Sequence, residues 1–426
     1  MLALLALALQ EPIAIPDGML QPALAVAQSR KAAEDAQSAW EAGEAAQALG
    51  LFRTAAELRP MHGGLLVQQA RAAAAAGEKE EALTALRRAA AMGFGFDLVE
   101  DEALTSLRED ESFPKILAQF ESNRKPLVRS EVAFRVERAG FHVEGIAHDA
   151  QTGDFYLSSF DGGEILRIRW IADSWSTRLF ADLKEHACAG AYGMALDAPR
   201  RLLYVTGGAS RGKPGETELG ALISFELPGG AHRRTARRPG SLQLLGDAFV
   251  AEWGEHLVIF ATDPTGGAVY SLGEGAFAPR LEAGRLSSPQ GLVTLPAAVG
   301  EMPTLVIADY AAGLLTRRAD DPASLRFLGA PEDACLLGID GLARHGDDLI
   351  AIQNGIGVHR VLRLRLDAKH ERITEVEVLE RNHPEHGEPT LGVVVGNDFY
   401  SVANAPWGLA EGEEPPPAVV LRLPLN

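Results

Sequence analysis

The chain has 426 residues, of which 46% are hydrophobic and 23% are charged, and its formal net charge is −18. This length exceeds one typical domain, and this composition is ordinary for a folded globular protein. The acidity argues against a nucleic-acid backbone or an anionic membrane surface as the partner, because both would repel a chain of the same sign.

Residues 1–21 are predicted to form a leader. Residues 1–9 are almost all leucine and alanine, as in the apolar core of a secretory signal peptide, although no basic residue precedes them. Such a signal would direct the protein to the periplasm or the extracellular space. The alternative is the end of an apolar helix, in which case the protein is cytoplasmic. The run is too short to span a bilayer, and no later segment qualifies as a membrane span.

Residues 22–123 are rich in alanine, glutamate, leucine and glutamine, which favour helices. A pattern of small and large residues recurs there with a period of 34 residues. The first unit contains Gly43, Ala48, Phe52, Ala55 and Pro60, and the second contains Gly77, Ala82, Leu86, Ala89 and Phe94. This pattern resembles the tetratricopeptide repeat, with a degenerate third unit over residues 104–120. The resemblance implies a groove for a protein partner, and a helical cap or spacer is the alternative. Residues 124–130 are the predicted linker.

Six segments after residue 130 begin alike, with a small residue at the start of a short apolar strand. These residues are Gly145, Gly193, Ala248, Gly291, Gly341 and Gly392. A second apolar strand follows each after about a dozen residues, and a third often follows that. The spacings between the glycines are 48, 98, 50 and 51 residues. A period near 50 with several strands per unit is typical of propeller blades. The fold class is therefore an all-β six-bladed propeller over residues 131–426, preceded by an all-α helical-repeat segment.

The ring of blades is expected to close through the two ends of this region. Residues 131–136 read as a strand that can pair with the final strand, at 419–423. Such pairing would remove two exposed sheet edges. A stack of hairpins in a β-sandwich is the alternative, but a sandwich does not need a fixed period.

The first strand of each blade lines the central channel of a propeller. The residue before each small residue should therefore face the axis, and these residues are Glu144, Tyr192, Asp247, Gln290, Asp340 and Leu391. Three carboxylates and an amide would share a small volume and repel unless a cation or protons intervene. Because hard divalent cations bind such oxygens, the pattern predicts a channel cation, most simply Ca²⁺, with Zn²⁺, Mn²⁺ or Mg²⁺ as alternatives. The other interpretation is that acidic residues only solvate a water-filled channel.

Three of these segments resemble the regucalcin/gluconolactonase family, also called the senescence-marker-protein family. They are residues 144–147, 289–291 and 339–341, and the resemblance extends over residues 134–426. It implies a six-bladed propeller with one divalent cation, for which Glu144 and Asp340 match the family's glutamate and aspartate ligands. Asp340 also matches the family's presumed base or water activator. Gln290 replaces an asparagine of the family, and Gly246 precedes Asp247 where a ligating asparagine is usual.

A second ring of polar residues follows the second strands, where the chain returns to the same face of the propeller. Asp309, Asn354 and Asn404 belong to it. His383 precedes the sixth blade and could transfer protons near neutral pH, although an exposed loop histidine is the more common reading. Together with Tyr192, these residues form the predicted pocket. Cys188 and Cys335 are expected to be buried single thiols, with a disulfide as the alternative.

Two functions from different classes fit these patterns. The leading hypothesis is a metal-dependent hydrolase of lactone or related ester bonds, in which the cation polarises the carbonyl and Asp340 activates water. The alternative is a non-catalytic propeller that binds a small ligand, with the helical repeats recruiting a protein partner.

Overall fold

The computed structural model describes residues 21–212, 220–237, 244–253, 256–273, 276–295, 303–410 and 412–426. The predicted leader lies, except for Gln21, outside the described residues. Within them, no helix is both long enough and apolar enough to cross a membrane.

Alanine-rich sequence and well-placed end residues account for the N-terminal helices. Pro22 occupies the first turn of the first helix, where its missing N–H costs no hydrogen bond. Gly77 ends the third helix with a φ of 85°, a left-handed conformation that favours glycine. Consecutive helices from the first to the fourth pack against each other. The elements are α1 (Pro22–Glu41), α2 (Ala45–Leu58), α3 (Gly63–Ala76), α4 (Lys79–Ala91), a 3₁₀ turn (Glu102–Leu107) and α5 (Phe113–Arg124). The helical segment is confirmed, and its assignment to the tetratricopeptide repeat stays a prediction.

In the part of the chain that the structure describes, 24 strands form six four-stranded antiparallel sheets. Blade 1 contains β2 (Val143–Asp149), β3 (Asp154–Ser159), β4 (Glu164–Ile171) and β5 (Ser174–Asp182), after β1 (Glu131–Val136). Blade 2 contains β6 (Gly190–Asp197), β7 (Leu202–Gly208), β8 (Ala221–Glu226) and β9 (Ala231–Arg237). Blade 3 contains β10 (Ala248–Trp253), β11 (His256–Asp263), β12 (Ala268–Leu272) and β13 (Phe277–Leu281). The predicted six-bladed propeller is confirmed.

The remaining three blades follow the same order. Blade 4 contains β14 (Pro289–Leu295), β15 (Thr304–Asp309), β16 (Gly313–Arg318) and β17 (Arg326–Phe327). Blade 5 contains β18 (Ile339–His345), β19 (Asp348–Gln353), β20 (Arg360–Leu366) and β21 (Ile373–Arg381). Blade 6 contains β22 (Gly392–Val395), β23 (Asp398–Val402) and β24 (Ala418–Pro424).

The ring closes as the sequence predicts. Strand β1 is the outermost strand of blade 6 and pairs with β24, with Glu131 opposite Arg422 and Val136 opposite Ala418. The edge strand of the last blade is thus supplied by the chain that enters the first blade. This pairing joins the two ends of the propeller without an open seam.

The innermost strands approach each other so closely that four of the repeat positions require glycine. A Cβ atom at any of the four would lie within 2.6 Å of a backbone atom of the next blade, far inside van der Waals contact. The four contacts are Gly145 with the Tyr192 carbonyl oxygen (2.4 Å), Gly193 with Asp247 Cα (2.5 Å), Gly291 with the Asp340 carbonyl oxygen (2.5 Å) and Gly341 with the Thr390 carbonyl oxygen (2.5 Å). The repeated glycine therefore sets the distance between blades.

The same four inner strands each contain a β-bulge next to this glycine. The pairing register shifts across Glu144–Gly145 in β2, and equivalent shifts occur in β6, β14 and β18. A bulge changes the direction in which a side chain points and often lies beside a functional site. It therefore turns the residue before each glycine toward the axis.

The helical segment and blade 5 share one hydrophobic core. Cys335, Leu337, Ile356 and Val358 pack in the same buried cluster as the residues between the helices. The guanidinium group of Arg59 donates two hydrogen bonds to the carbonyl oxygen of Ala311, at 2.9 and 3.1 Å. The helices are therefore part of the propeller's folded core.

The predicted linker is also fixed to blade 5. Leu127 exchanges backbone hydrogen bonds with Arg381, at 2.8 and 3.0 Å. The buried carboxylate of Glu380 accepts hydrogen bonds from the backbone N–H groups of Arg129 and Ser130. Cys335 donates its thiol hydrogen to the Met61 carbonyl, and the two cysteines are buried and not joined in a disulfide.

We expect Gly291→Ala to lower the free energy of unfolding by about 2 kcal/mol, because its methyl group would collide with the next blade. Gly50→Ala is the matched control, since nothing lies within 4 Å of that position in α2. The control should be neutral or stabilising by about 0.5 kcal/mol. Denaturant titration measures both, and equal effects would contradict the close approach.

We expect the helices and the propeller to unfold in one transition because they share a core. Far-UV circular dichroism at the helix band and tryptophan fluorescence should give the same midpoint in thermal unfolding. Leu337→Ala should lower both midpoints together, at a cost of about 3 kcal/mol. Separate helix and propeller transitions would show that the two parts fold independently.

Candidate functional site

A cavity of about 400 Å³ lies on the propeller axis and is lined by residues of all six blades. The residues predicted to face the axis all line it: Glu144, Tyr192, Asp247, Gln290, Asp340 and Leu391. Glu388, Tyr310, Trp407 and Ser288 contribute further polar or aromatic groups. The bulged inner strands and the loops that follow the second strands thus converge on one space.

Glu144 is held by an indole. The residue is 8% exposed, and its Oε2 accepts a hydrogen bond of 2.7 Å from Trp407 Nε1–H. Burial and then the nearby carboxylate of Asp340 raise the pKa of Glu144 well above its usual range, against the opposing effect of the indole N–H. Protonation of Glu144, or binding of a cation beside it, is therefore favoured over a bare carboxylate at this position.

Asp340 is held by a chain of neutral groups. Asn354 Nδ2 donates to Asp340 Oδ2 at 2.8 Å, and Tyr310 Oη donates to Asn354 Oδ1 at 2.9 Å. Burial raises the pKa of Asp340 to about 7, although the bond from Asn354 lowers it. Asn354 also donates to the Pro389 carbonyl at 2.9 Å, which fixes its amide between blades 5 and 6.

Asp247 and Gln290 complete the predicted ligand set. Asp247 Oδ1 accepts the backbone N–H of Ala248 at 2.8 Å, and burial raises the pKa of Asp247 to about 7. Gln290 Nε2 donates to Ser288 Oγ at 3.0 Å. That bond uses the amide nitrogen and leaves the amide oxygen available to a cation.

Glu388 is a fourth carboxylate of the cavity. Burial raises its pKa, and among the described residues no group donates a hydrogen bond to its side chain. The negative charge of Glu388 raises the pKa of both Glu144 and Asp340. Among the described lining residues no lysine, arginine or histidine balances these four acids.

The donor set fits a hard divalent cation in charge and in atom type. Carboxylate and amide oxygens are the ligands that Ca²⁺ and Mg²⁺ prefer. Over the described ranges, no three histidine, cysteine, aspartate or glutamate side chains form a ready coordination group. A cation would therefore be held by some of these oxygens together with water.

Four residues of the predicted pocket lie outside its lining. Asp309 accepts backbone N–H groups of Ser287, Ser288, Ala311 and Ala312 and so organises the turn after β15. Asn404 bonds to the Pro417 carbonyl and the Val419 N–H, and His383 Nδ1 accepts the N–H of Glu385. Asn354 lies behind the lining and reaches it through Asp340.

Sequence reasoning missed Tyr310, Trp407 and Glu388. Tyr310 comes directly after β15, and Trp407 lies in the loop after β23, so both follow a second strand as the predicted polar ring does. An aromatic residue at that position was the available signal. Glu388 lies in an irregular loop three residues before Leu391, and no periodic pattern marks it.

The aromatic side chains form a wall beside the carboxylates. The rings of Phe160 and Trp407 stack with centroids 4.0 Å apart and planes 6° apart. Tyr192 is nearly parallel to Trp407, with centroids 6.3 Å apart. Arg211 donates to the Leu409 carbonyl at 3.0 Å and thereby holds the loop that contains Trp407.

No protein-family model matches the chain, and no curated protein matches it significantly. Solved structures do resemble it. Regucalcin, a calcium-binding protein from Agrobacterium tumefaciens, aligns with a TM-score of 0.45 at 14% identity, over 68% of this chain and 93% of that one.

Two further solved structures align equally well. The PQQ-bound aldose sugar dehydrogenase of Streptomyces coelicolor gives a TM-score of 0.46 at 13% identity, over 70% of this chain and 98% of that one. A luciferin-regenerating enzyme gives a TM-score of 0.47 at 13% identity, over 70% of this chain and 95% of that one. The six-bladed propeller is shown by the sheets themselves, and the activity must be argued from the cavity.

We expect Asn354→Leu to raise the pKa of Asp340 above about 7, because the ionised carboxylate loses its donor. Asn404→Leu is the matched control, since that amide bonds only to backbone groups of its own blade. Carbon-13 NMR titration of labelled aspartate carboxyls measures the change. An unchanged titration in Asn354→Leu would refute the role of this amide.

Proposed function

We propose that the protein is a divalent-cation-dependent hydrolase of lactone or related ester bonds. The observation that supports this proposal is a cavity with four carboxylates and, among the described lining residues, no basic side chain. Ionised carboxylates at this density repel one another unless positive charge binds between them, and their oxygens are ligands that hard cations prefer. A bound cation would supply polarisation of the substrate carbonyl.

Glu144, Asp340 and Gln290 are the proposed ligands. The charge of Asp247 acts on Glu144, and the charge of Glu388 acts on both Glu144 and Asp340. Trp407 orients Glu144 through its N–H, and Asn354 orients Asp340. These neutral donors fix the carboxylates without neutralising them. A cation that displaces the protons from these carboxyl groups would therefore find their oxygens already oriented.

Asp340 is the proposed general base. In the metal-free cavity the pKa of Asp340 is about 7, and a bound cation would lower it, so that the carboxylate is ionised and able to accept a proton at neutral pH. Asp340 would take a proton from water as the water oxygen bonds to the carbonyl carbon. When the ester C–O bond breaks, the same proton passes to the departing alkoxide, so that the base is regenerated.

A second candidate is a non-catalytic propeller scaffold with tetratricopeptide-like helices that recruit a protein. A cavity of about 270 Å³ between α3 and α4, lined by Leu66, Gln69 and Arg88 among others, favours it. The two functions differ in what the axial cavity must contain. The scaffold needs neither a stoichiometric cation nor turnover.

We expect elemental analysis to find about one divalent cation per chain after incubation with Ca²⁺, Mn²⁺ or Zn²⁺. The affinity for the cation should rise as the pH rises through about 7, because the cation competes with protons for the carboxylates. Asp340→Asn should lose the cation and at least about 100-fold of lactone or ester hydrolysis. Asp173→Asn, at an exposed hairpin, is the control and should change neither.

Metal-free protein under all three conditions, together with no hydrolysis of a lactone and ester panel, would overturn the hydrolase proposal and favour the scaffold. Retention of both metal and full activity by Asp340→Asn would remove Asp340 from the mechanism.

A further inference from the structure

The charge of the axial cavity bears on what it can bind. Glu144, Asp247, Asp340 and Glu388 are all acidic, and no lysine, arginine or histidine accompanies them among the described lining residues. One divalent cation neutralises two of these four carboxylates. Two negative charges then remain for the substrate to meet when all four are ionised.

An anionic ligand would meet no basic side chain among the described lining residues, and the charge of a bound cation would already be balanced by its carboxylate ligands. Arg211, behind the aromatic wall, already pairs with Asp161 at 2.6 Å and donates to the Leu409 carbonyl. A carboxylate, sulfonate or phosphate group would therefore lose its hydration and face like charges across a poorly solvated space. The cavity selects against such substrates.

The aromatic wall offers the complementary interaction. Two members of the wall, Trp407 and Tyr192, line the same cavity as the acids, and Tyr310 lines it as well. Phe160 stacks on one face of Trp407, so the aromatic surface offered to a ligand comes from the two tyrosines and the rest of the indole. Aromatic faces attract alkylammonium groups, most strongly where water is excluded. A volume of about 400 Å³ is enough for an alkylammonium group joined to a short ester.

We propose that the ligand of this cavity carries an alkylammonium group, so that the hydrolase, where the proposed function holds, acts on cationic esters or lactones. Glu388 is the carboxylate that faces the ammonium, because no described group donates a hydrogen bond to its side chain. Glu144 and Asp340, in contrast, are already oriented by Trp407 and Asn354. Glu388 is therefore a specificity residue.

Three alcohols of similar size and different charge test the proposal by direct binding. Choline is cationic, 3,3-dimethylbutan-1-ol is its neutral isostere, and isethionate is anionic. We expect choline to bind at least about tenfold more tightly than the neutral isostere, and isethionate not to bind. Isothermal titration calorimetry on the full chain measures all three.

Matched variants locate the effect. Glu388→Gln should reduce choline affinity about tenfold and leave the neutral alcohol unchanged. Glu332→Gln, at an exposed position, is the control and should alter neither. Retention of the choline preference in Glu388→Gln would overturn the role of Glu388.

Equal binding of choline and its isostere, tighter binding of isethionate, or binding of none of the three would overturn the proposal. The probes contain no ester, so the result is independent of turnover. Choline selectivity without metal or hydrolysis would support the ligand class and reject the hydrolase. Hydrolysis without choline selectivity would support the hydrolase and reject the ligand class.

Discussion

Backbone crowding at the axis is the constraint on which the rest of the structure depends. Inner strands of neighbouring blades come so close that Gly193 and Gly291 have no room for a Cβ atom. The bulges beside these glycines turn the preceding side chain out of the sheet and into the channel. A packing requirement of the fold therefore also aims the functional groups, and the same dipeptide serves both purposes in four blades.

The cavity concentrates acidic groups that the described protein groups orient but do not pair with a positive charge. An indole N–H holds Glu144 and an amide holds Asp340, and neither donor carries a charge. The free-energy cost of burying these acids falls on the unliganded protein, because burial and repulsion favour protons over ionisation. Positive charge from a ligand would relieve that cost, and this relief would contribute to the free energy of binding.

The sequence predicts the blades well because their signals are local and periodic. Strand alternation and the repeated small residues identify six blades, the closing strand at Glu131–Val136 and the axial positions of Glu144 and Asp340. Side chains in irregular loops follow no period, which is why Glu388 was missed. Asp309 and Tyr310 are adjacent, yet the carboxylate bonds to a turn and the phenol reaches the cavity. Such a choice depends on three-dimensional packing.

The closure of the ring has a consequence for the order in which the protein matures. Glu388 and Trp407 belong to blade 6, whose outer strand β1 is the first of the described strands to be synthesised and whose β24 is the last of them. During synthesis, β1 has no β24 to pair with until the five preceding blades have been synthesised. The axial cavity gains Glu388 and Trp407 only when blade 6 forms, so a nascent chain cannot present the completed site before β24 has been synthesised and pairs with β1.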